Sequence, residues 1–172
     1  SGPDGEGESD RLEFLLPGNH HEFVFSRDGQ ARINGRMAIV LDYRPREKGK
    51  PYAERKDGIE GCFSVHTPGF DAGRLWIDRE TSDVLRIDQR TAGQVTVRVP
   101  PARRWESPLD VTLERNDIST VYRPVTFSDP QETVLLPSSS ETLVVFRGPV
   151  SAGRRETHRF TNYQRFSTGG RL

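Results

Sequence analysis

The chain reads as a mainly β protein: one curved antiparallel sheet, an open half-barrel, with few or no helices. Three observations carry this expectation. Residues 73–88, GRLWIDRETSDVLRID, read as two strands folded back through a polar turn. Leu75 and Ile77 alternate there with Trp76 and Asp78, and Leu85 and Ile87 with Val84, Arg86 and Asp88. A period of two sends alternate side chains to opposite faces of a sheet. Residues 94–99 repeat it, with Val95, Val97 and Val99 set against Gln94, Thr96 and Arg98. No stretch of eleven or more residues carries a helical period free of Gly and Pro. The hydrophobic fraction is 33% and the mean hydropathy -0.70, so the core must be thin, as in a sheet with one buried face.

The elements follow in chain order. Residues 1–10, SGPDGEGESD, lack an apolar anchor and read as a disordered leader or linker. The chain starts Ser-Gly without Met, which reads as a start downstream of a removed segment. Residues 11–172 are expected to form one antiparallel β domain. Residues 11–16 fit one helical turn, ended by Pro17-Gly18. Period-two alternation begins at Glu22 with Phe23 and Phe25. Asp28-Gly29 is a hairpin-turn signal, because Gly accepts positive φ, and Asn34-Gly35 is a second. Residues 37–43 read as an apolar strand. Residues 44–60, with Pro45, Gly49, Pro51 and Gly58, read as a long loop. A strand over 62–65 stops at Pro68-Gly69, ahead of the 73–88 hairpin. Pro100-Pro101 ends the 94–99 strand. Residues 111–114, 120–127, 133–136, 142–147 and 155–166 complete the series. Pro124 donates no backbone hydrogen bond, which puts its strand at an edge or a bulge.

Charge excludes more than it assigns. Twenty-five basic residues balance twenty-five acidic ones. That balance offers nothing to nucleic acid or to an anionic membrane surface. Most of the basic residues are Arg, spread along the chain rather than gathered in one anion-binding patch. One cysteine, Cys62, excludes an internal disulfide. No run approaches the roughly 18 apolar residues of a membrane helix.

Residues with chemical potential have ordinary explanations. His20-His21-Glu22 has metal-ligand types, but adjacent strand residues point apart, and a surface loop accounts for them. Cys62 and His66 invite a nucleophile reading with Asp71 as orienter. Four residues along a strand is about 13 Å, beyond a nucleophile–base hydrogen bond, so Cys62 reads as structural. Glu156 and His158 fall on one face of the last strand and read as exposed polar residues. Asp78, Asp83 and Asp88 suggest weak calcium binding, which the interleaved Arg79, Arg86 and Arg90 oppose. No cofactor is expected. The aromatics Phe14, Phe23, Phe25, Tyr43, Trp76, Tyr122, Phe127, Phe146, Phe160, Tyr163 and Phe166 are spaced as core, or as an apolar groove. Trp76 is the sharpest case: it points away from Leu75 and Ile77, so something must cover the second face.

Several motifs carry a family resemblance: GRLWID at 73–78, DVLRI at 83–87, YRPVTFSDP at 122–130, LLP at 135–137, and FTNYQRF at 160–166. Over residues 60–172 the chain resembles the bacterial envelope proteins with the fold of the lipoprotein carriers and sigma-factor regulators, and more narrowly an uncharacterised soil-bacterial family. The resemblance implies a curved antiparallel sheet whose concave face holds an acyl chain, a lipoprotein or an envelope protein. It implies a periplasmic or outer-membrane-associated location and a non-enzymatic role. Trp76, Leu85, Tyr122, Phe160 and Tyr163 are the binding residues expected from it. A β-sandwich interaction or carbohydrate-binding domain is the alternative, and an enzyme a more distant one.

Overall fold

The computed structural model describes residues 14–55, 62–101, 107–128, 130–149 and 151–165. The 1–10 leader and Phe166 lie outside them. Ten strands occur among the described residues: β1 (Phe23–Ile33), β2 (Arg36–Pro45), β3 (Tyr52–Arg55), β4 (Phe63–His66), β5 (Asp71–Asp78), β6 (Val84–Thr91), β7 (Val95–Val99), β8 (Leu109–Ser128), β9 (Gln131–Arg147) and β10 (Ala152–Arg159). Eight build one antiparallel sheet in the order β1-β2-β5-β6-β8-β9-β10, with β7 also paired to β8. Its outer strands β1 and β10 do not meet, so the sheet is open, as its sequence pattern implies. Strands β3 and β4 form a separate hairpin.

Asn34-Gly35 makes the β1–β2 turn, with φ of 49° and 83°. Two successive positive φ values mark a type I′ turn, whose twist matches the flanking strands. Asp28-Gly29, the other turn signal, lies inside β1 instead. The register shifts between Arg27 and Gly29, so the dipeptide builds a bulge. Gly29, at φ 132°, supplies the conformation a bulge needs as readily as a turn does. The 44–60 segment also differs from a plain loop, since Tyr52–Arg55 is a strand. Where four short strands are expected over 111–147, two long ones run, joined across β8 and β9 by a nearly continuous ladder. The last strand ends at Arg159 rather than continuing to 166.

Residues opposed across a ladder share a face. Registers therefore sort the sheet into an apolar face and a charged one. Phe25–Tyr43, Tyr43–Gly73, Leu75–Ile87 and Ile77–Val84 pairs belong to the first. So do Val95–Leu113, Val97–Val111 and Leu113–Phe146. Two clusters cover that face. In one, Val95, Val97, Val99, Val111 and Leu113 pack with Ala53, Phe63 and Val65 of the β3–β4 hairpin. In the other, Phe14 and Leu15 close over Tyr43, Leu75, Ile87, Phe23 and Phe25. Phe14 and Leu15 form a 3-10 turn, which Pro17-Gly18 follows. Leu75 is fully buried at 0% exposure, worth about 2 kcal/mol by area removed from water.

Two irregularities set the outline of the sheet. Strand β6 pairs with residues 117–121 of β8, and β7 with residues 109–113. Residues 114–116 have no pairing on that side, which leaves a notch in the sheet. Beyond Val121, seven further β8–β9 pairs run from Tyr122–Pro137 to Ser128–Gln131. They form a two-stranded arm, because β6 stops at Val121 and β10 at Ser139. Pro124 sits in this arm, where β8 has a neighbour on one side only, as a residue without an N–H requires.

Candidate functional site

The charged face carries an open groove of about 960 Å³. Its walls come from β2, β5, β6, β8 and β9, and β10 adds Arg155. The strands deliver these side chains by alternation. On β5, Arg74 and Trp76 face the groove while Leu75 faces the core. On β8, Asp117 and Ser119 do so. The floor is a lattice of Arg–carboxylate pairs. Arg74 donates to both oxygens of Asp42 at 2.7 and 3.2 Å, and reaches Asp28 at 2.6 Å. Arg86 makes a two-pronged contact with Asp88 at 2.8 Å on each prong, and Ser119 Oγ donates to the same carboxylate at 2.7 Å. Arg115 pairs with Asp117, and Arg155 with Glu141.

The consequence for Asp42 is direct. The Arg74 guanidinium bonded to it holds its carboxyl below the ordinary value. A carboxylate so held stays ionised near neutral pH and is a poor proton donor. Arg90 differs from the other groove arginines. It is exposed, lines the groove opposite Asp117, and makes no ion pair among the described residues.

Trp76 lies in this groove, on the face opposite Leu75, as the alternation requires. What covers it is Arg86, whose guanidinium stands 4.8 Å from the indole centroid. A guanidinium over an indole face is attracted by the ring quadrupole. The other four expected binding residues sit elsewhere. Leu85 is buried at 3% exposure; it is the extra residue in β6, since Trp76 pairs with Arg86 and Ile77 with Val84. Tyr122 packs against the aromatic cluster on the apolar face. Phe160 follows β10, its N–H bonded to the Ser138 carbonyl at 3.0 Å. Tyr163 donates to the Pro137 carbonyl beside the arm. The five are not brought together.

The remaining chemical candidates are also accounted for. His20 Nε2 bonds the Leu15 carbonyl at 2.5 Å. Cys62 is exposed, and His66 bonds Glu54 at 2.8 Å. Glu156 and His158 lie 3.9 Å apart on β10, both partly exposed. Asp78 caps the β5–β6 turn, accepting the N–H groups of Glu80 and Thr81 at 2.8 and 2.9 Å. Those bonds, with Thr81 foremost, pull its carboxyl below the ordinary value despite burial. Asp83 and Asp88 serve other partners, so the three carboxylates do not converge.

Sequence reasoning missed the groove arginines and Arg90, because their grouping depends on which strands pair. It also missed a second cleft of about 360 Å³ at the β3–β4 hairpin, lined by Tyr52, Val65, His66, Thr67, Pro68 and Asp71. No helix among the described residues is long and apolar enough to cross a membrane.

No family model matches the chain, and no solved structure does. Among curated proteins, a stretch of 80 residues, 46% of this chain, is 30% identical to a UPF0288 protein of Methanosarcina mazei. That stretch amounts to 15% of the archaeal protein's length. The chain is thus similar to a small part of a much longer protein.

Proposed function

We propose that the chain is a non-enzymatic binding module of the cell envelope, and that the groove beneath Trp76 holds its ligand. One observation carries the reading: an open groove of about 960 Å³ whose lining combines an indole, a lattice of paired charges and Arg90, which makes no ion pair among the described residues. The lattice supports binding over catalysis, because each of its arginines is already engaged with a carboxylate, and the one held by Arg74, Asp42, is a poor proton donor. It favours a partner with a polar, hydrogen-bonding surface, such as the peptide portion of a lipoprotein, over a bare acyl chain. Transfer of an apolar chain onto ion pairs strips water from charges without replacing its hydrogen bonds. The envelope location rests on the resemblance to carrier-type proteins.

The test uses Trp76 as its own reporter. Trp105, the other of the two tryptophans, is replaced by Phe. The protein is then titrated with a synthetic acylated peptide and with a fluorescent fatty acid. The reading expects the acylated peptide to shift Trp76 emission saturably, and Arg90→Ala to weaken that binding. Emission indifferent to both probes would sink it. A response to the fatty acid alone would restore the acyl-chain version.

A further inference from the structure

The sheet's two outer strands leave their free edges in different states. Strand β1 breaks its register between Arg27 and Gly29, and Gly29 turns through a φ of 132°. A bulge bends a strand and raises its twist, which spoils the edge as a template for another strand. Strand β10 has no such irregularity. It pairs with β9 from Ala152–Phe146 to Arg159–Ser139 without a shift. It contains no proline, and all of it but Glu156 is exposed. No strand among the described residues pairs with its other side.

The ladder also fixes which backbone groups point outward. Phe160 continues the same register and donates its N–H to the Ser138 carbonyl at 3.0 Å. Bonded and non-bonded residues alternate along an antiparallel pair. The even-numbered residues of β10 therefore bond to β9, while Gly153, Arg155, Thr157 and Arg159 aim their N–H and C=O groups away from the sheet. Arg155 lines the groove, so Thr157 and Arg159 lie on that same face. Arg155 pairs with Glu141. Arg159 is exposed and makes no ion pair among the described residues.

These charges reject a second copy of the strand. Residues opposed across a ladder share a face, so two β10 strands about a two-fold axis pair odd with odd and even with even. An axis at Arg154, Arg155 or Glu156 sets that residue against itself. An axis at Thr157 sets Arg155 against Arg159. Each of these registers puts like charges directly opposite, which is destabilising. An acidic strand meets the reverse: carboxylates four residues apart would stand against Arg155 and Arg159.

We propose that the free edge of β10 docks an extended acidic peptide of a partner protein, which adds to the sheet as a further antiparallel strand. Its main chain bonds the outward groups of Arg155, Thr157 and Arg159, and its carboxylates meet the two arginines. The groove needs no occupant for this. The experiment titrates the full chain with a capped Thr-Glu-Thr-Val-Thr-Glu-Thr peptide, read by amide NMR and hydrogen exchange. Binding should be saturable and should slow exchange at Arg155, Thr157 and Arg159. Lysine in place of both glutamates should weaken it at least about tenfold, and so should N-methylation of the central valine. Thr157→Pro removes one outward donor and leaves the β9 ladder intact, and should also cost about tenfold or more. Should that variant fail to fold, Arg159→Glu decides, with a similar loss expected. No saturable binding, equal binding of the lysine or N-methyl peptide, no added protection at the three amides, or unchanged binding in the folded variants would overturn the proposal. So would a dimer in sedimentation that Thr157→Pro dissolves, which would give the edge to a second copy.

Discussion

The two clusters on the apolar face solve one problem with different materials. The β7–β8 cluster is aliphatic and covered by a hairpin, so its cover brings its own ladder of hydrogen bonds. The β1–β2–β5 cluster is aromatic and covered by residues 14 and 15, which sit in a short turn rather than a ladder. Ring stacking takes over part of the fastening there. Phe14 lies 4.4 Å from Tyr43 and 5.4 Å from Phe23, centroid to centroid. Offset aromatic pairs add about 0.5–1.5 kcal/mol beyond their buried area. A cover with few backbone bonds can hold where its side chains interlock, but it opens locally at lower cost.

Substitutions can separate these two modes. The largest effect is expected from Leu113→Ala in the aliphatic cluster, about 4 kcal/mol, because the ladders around it resist collapse into the cavity. Urea unfolding should show one cooperative transition at lower midpoint. Phe14→Ala should cost about 3 kcal/mol, with a different signature. Hydrogen exchange should accelerate along β1 and β2 while β7 stays protected; loss of protection in β7 would erase the distinction. Arg86→Ala probes the charged face beneath both clusters. It should cost about 1 kcal/mol and red-shift Trp76 emission as water replaces the guanidinium. Tyr43→Phe removes a buried, unpartnered hydroxyl from the aromatic cluster, and should leave stability unchanged or raise it by up to about 1 kcal/mol.

The smallest effect shows itself through its pH dependence. Asp78 has a folded-state pKa below its unfolded value. The stability it contributes is therefore present above the unfolded pKa and lost as pH falls through the folded one. Asp78→Asn should flatten the acid limb of stability below about pH 4 and lower stability at neutral pH. An acid limb as steep as wild type would refute the turn-capping role.

Much of the fold was legible from local alternation. The 73–88 hairpin, the valine strand and the outward aim of Trp76 needed only the period of a strand. Where the reading failed, one local signal served two structures. Asp-Gly suits a bulge as well as a turn, and only the register of β1 on β2 decides between them. Residues 115–119 read as a break between two strands, yet β9 pairs with all five of them. Strand β3 has four residues between proline- and glycine-rich segments, too few for a periodic signal. The sites were less legible still. The partner of Trp76 comes from another strand: Arg86 is 10 positions away along the chain.

The two-stranded arm has a mechanical consequence. Seven pairs at about 3.4 Å per residue carry its tip roughly 24 Å past the last row of the sheet. Its root is the register shift between Val121 and Tyr122, where the ladder is locally interrupted. That root is braced by Ser138 Oγ on the Val121 carbonyl and by the Phe160 N–H on the Ser138 carbonyl. Arg165 ties Glu132 of the arm to the segment after β10. A force at the tip is therefore passed into the sheet rather than lost in a hinge. Its torque enters β8, the strand that carries β6, β7 and the notch between them. The tip is the point from which a small load turns β8 furthest, and β8 is where such a load would be felt by both ends of the groove.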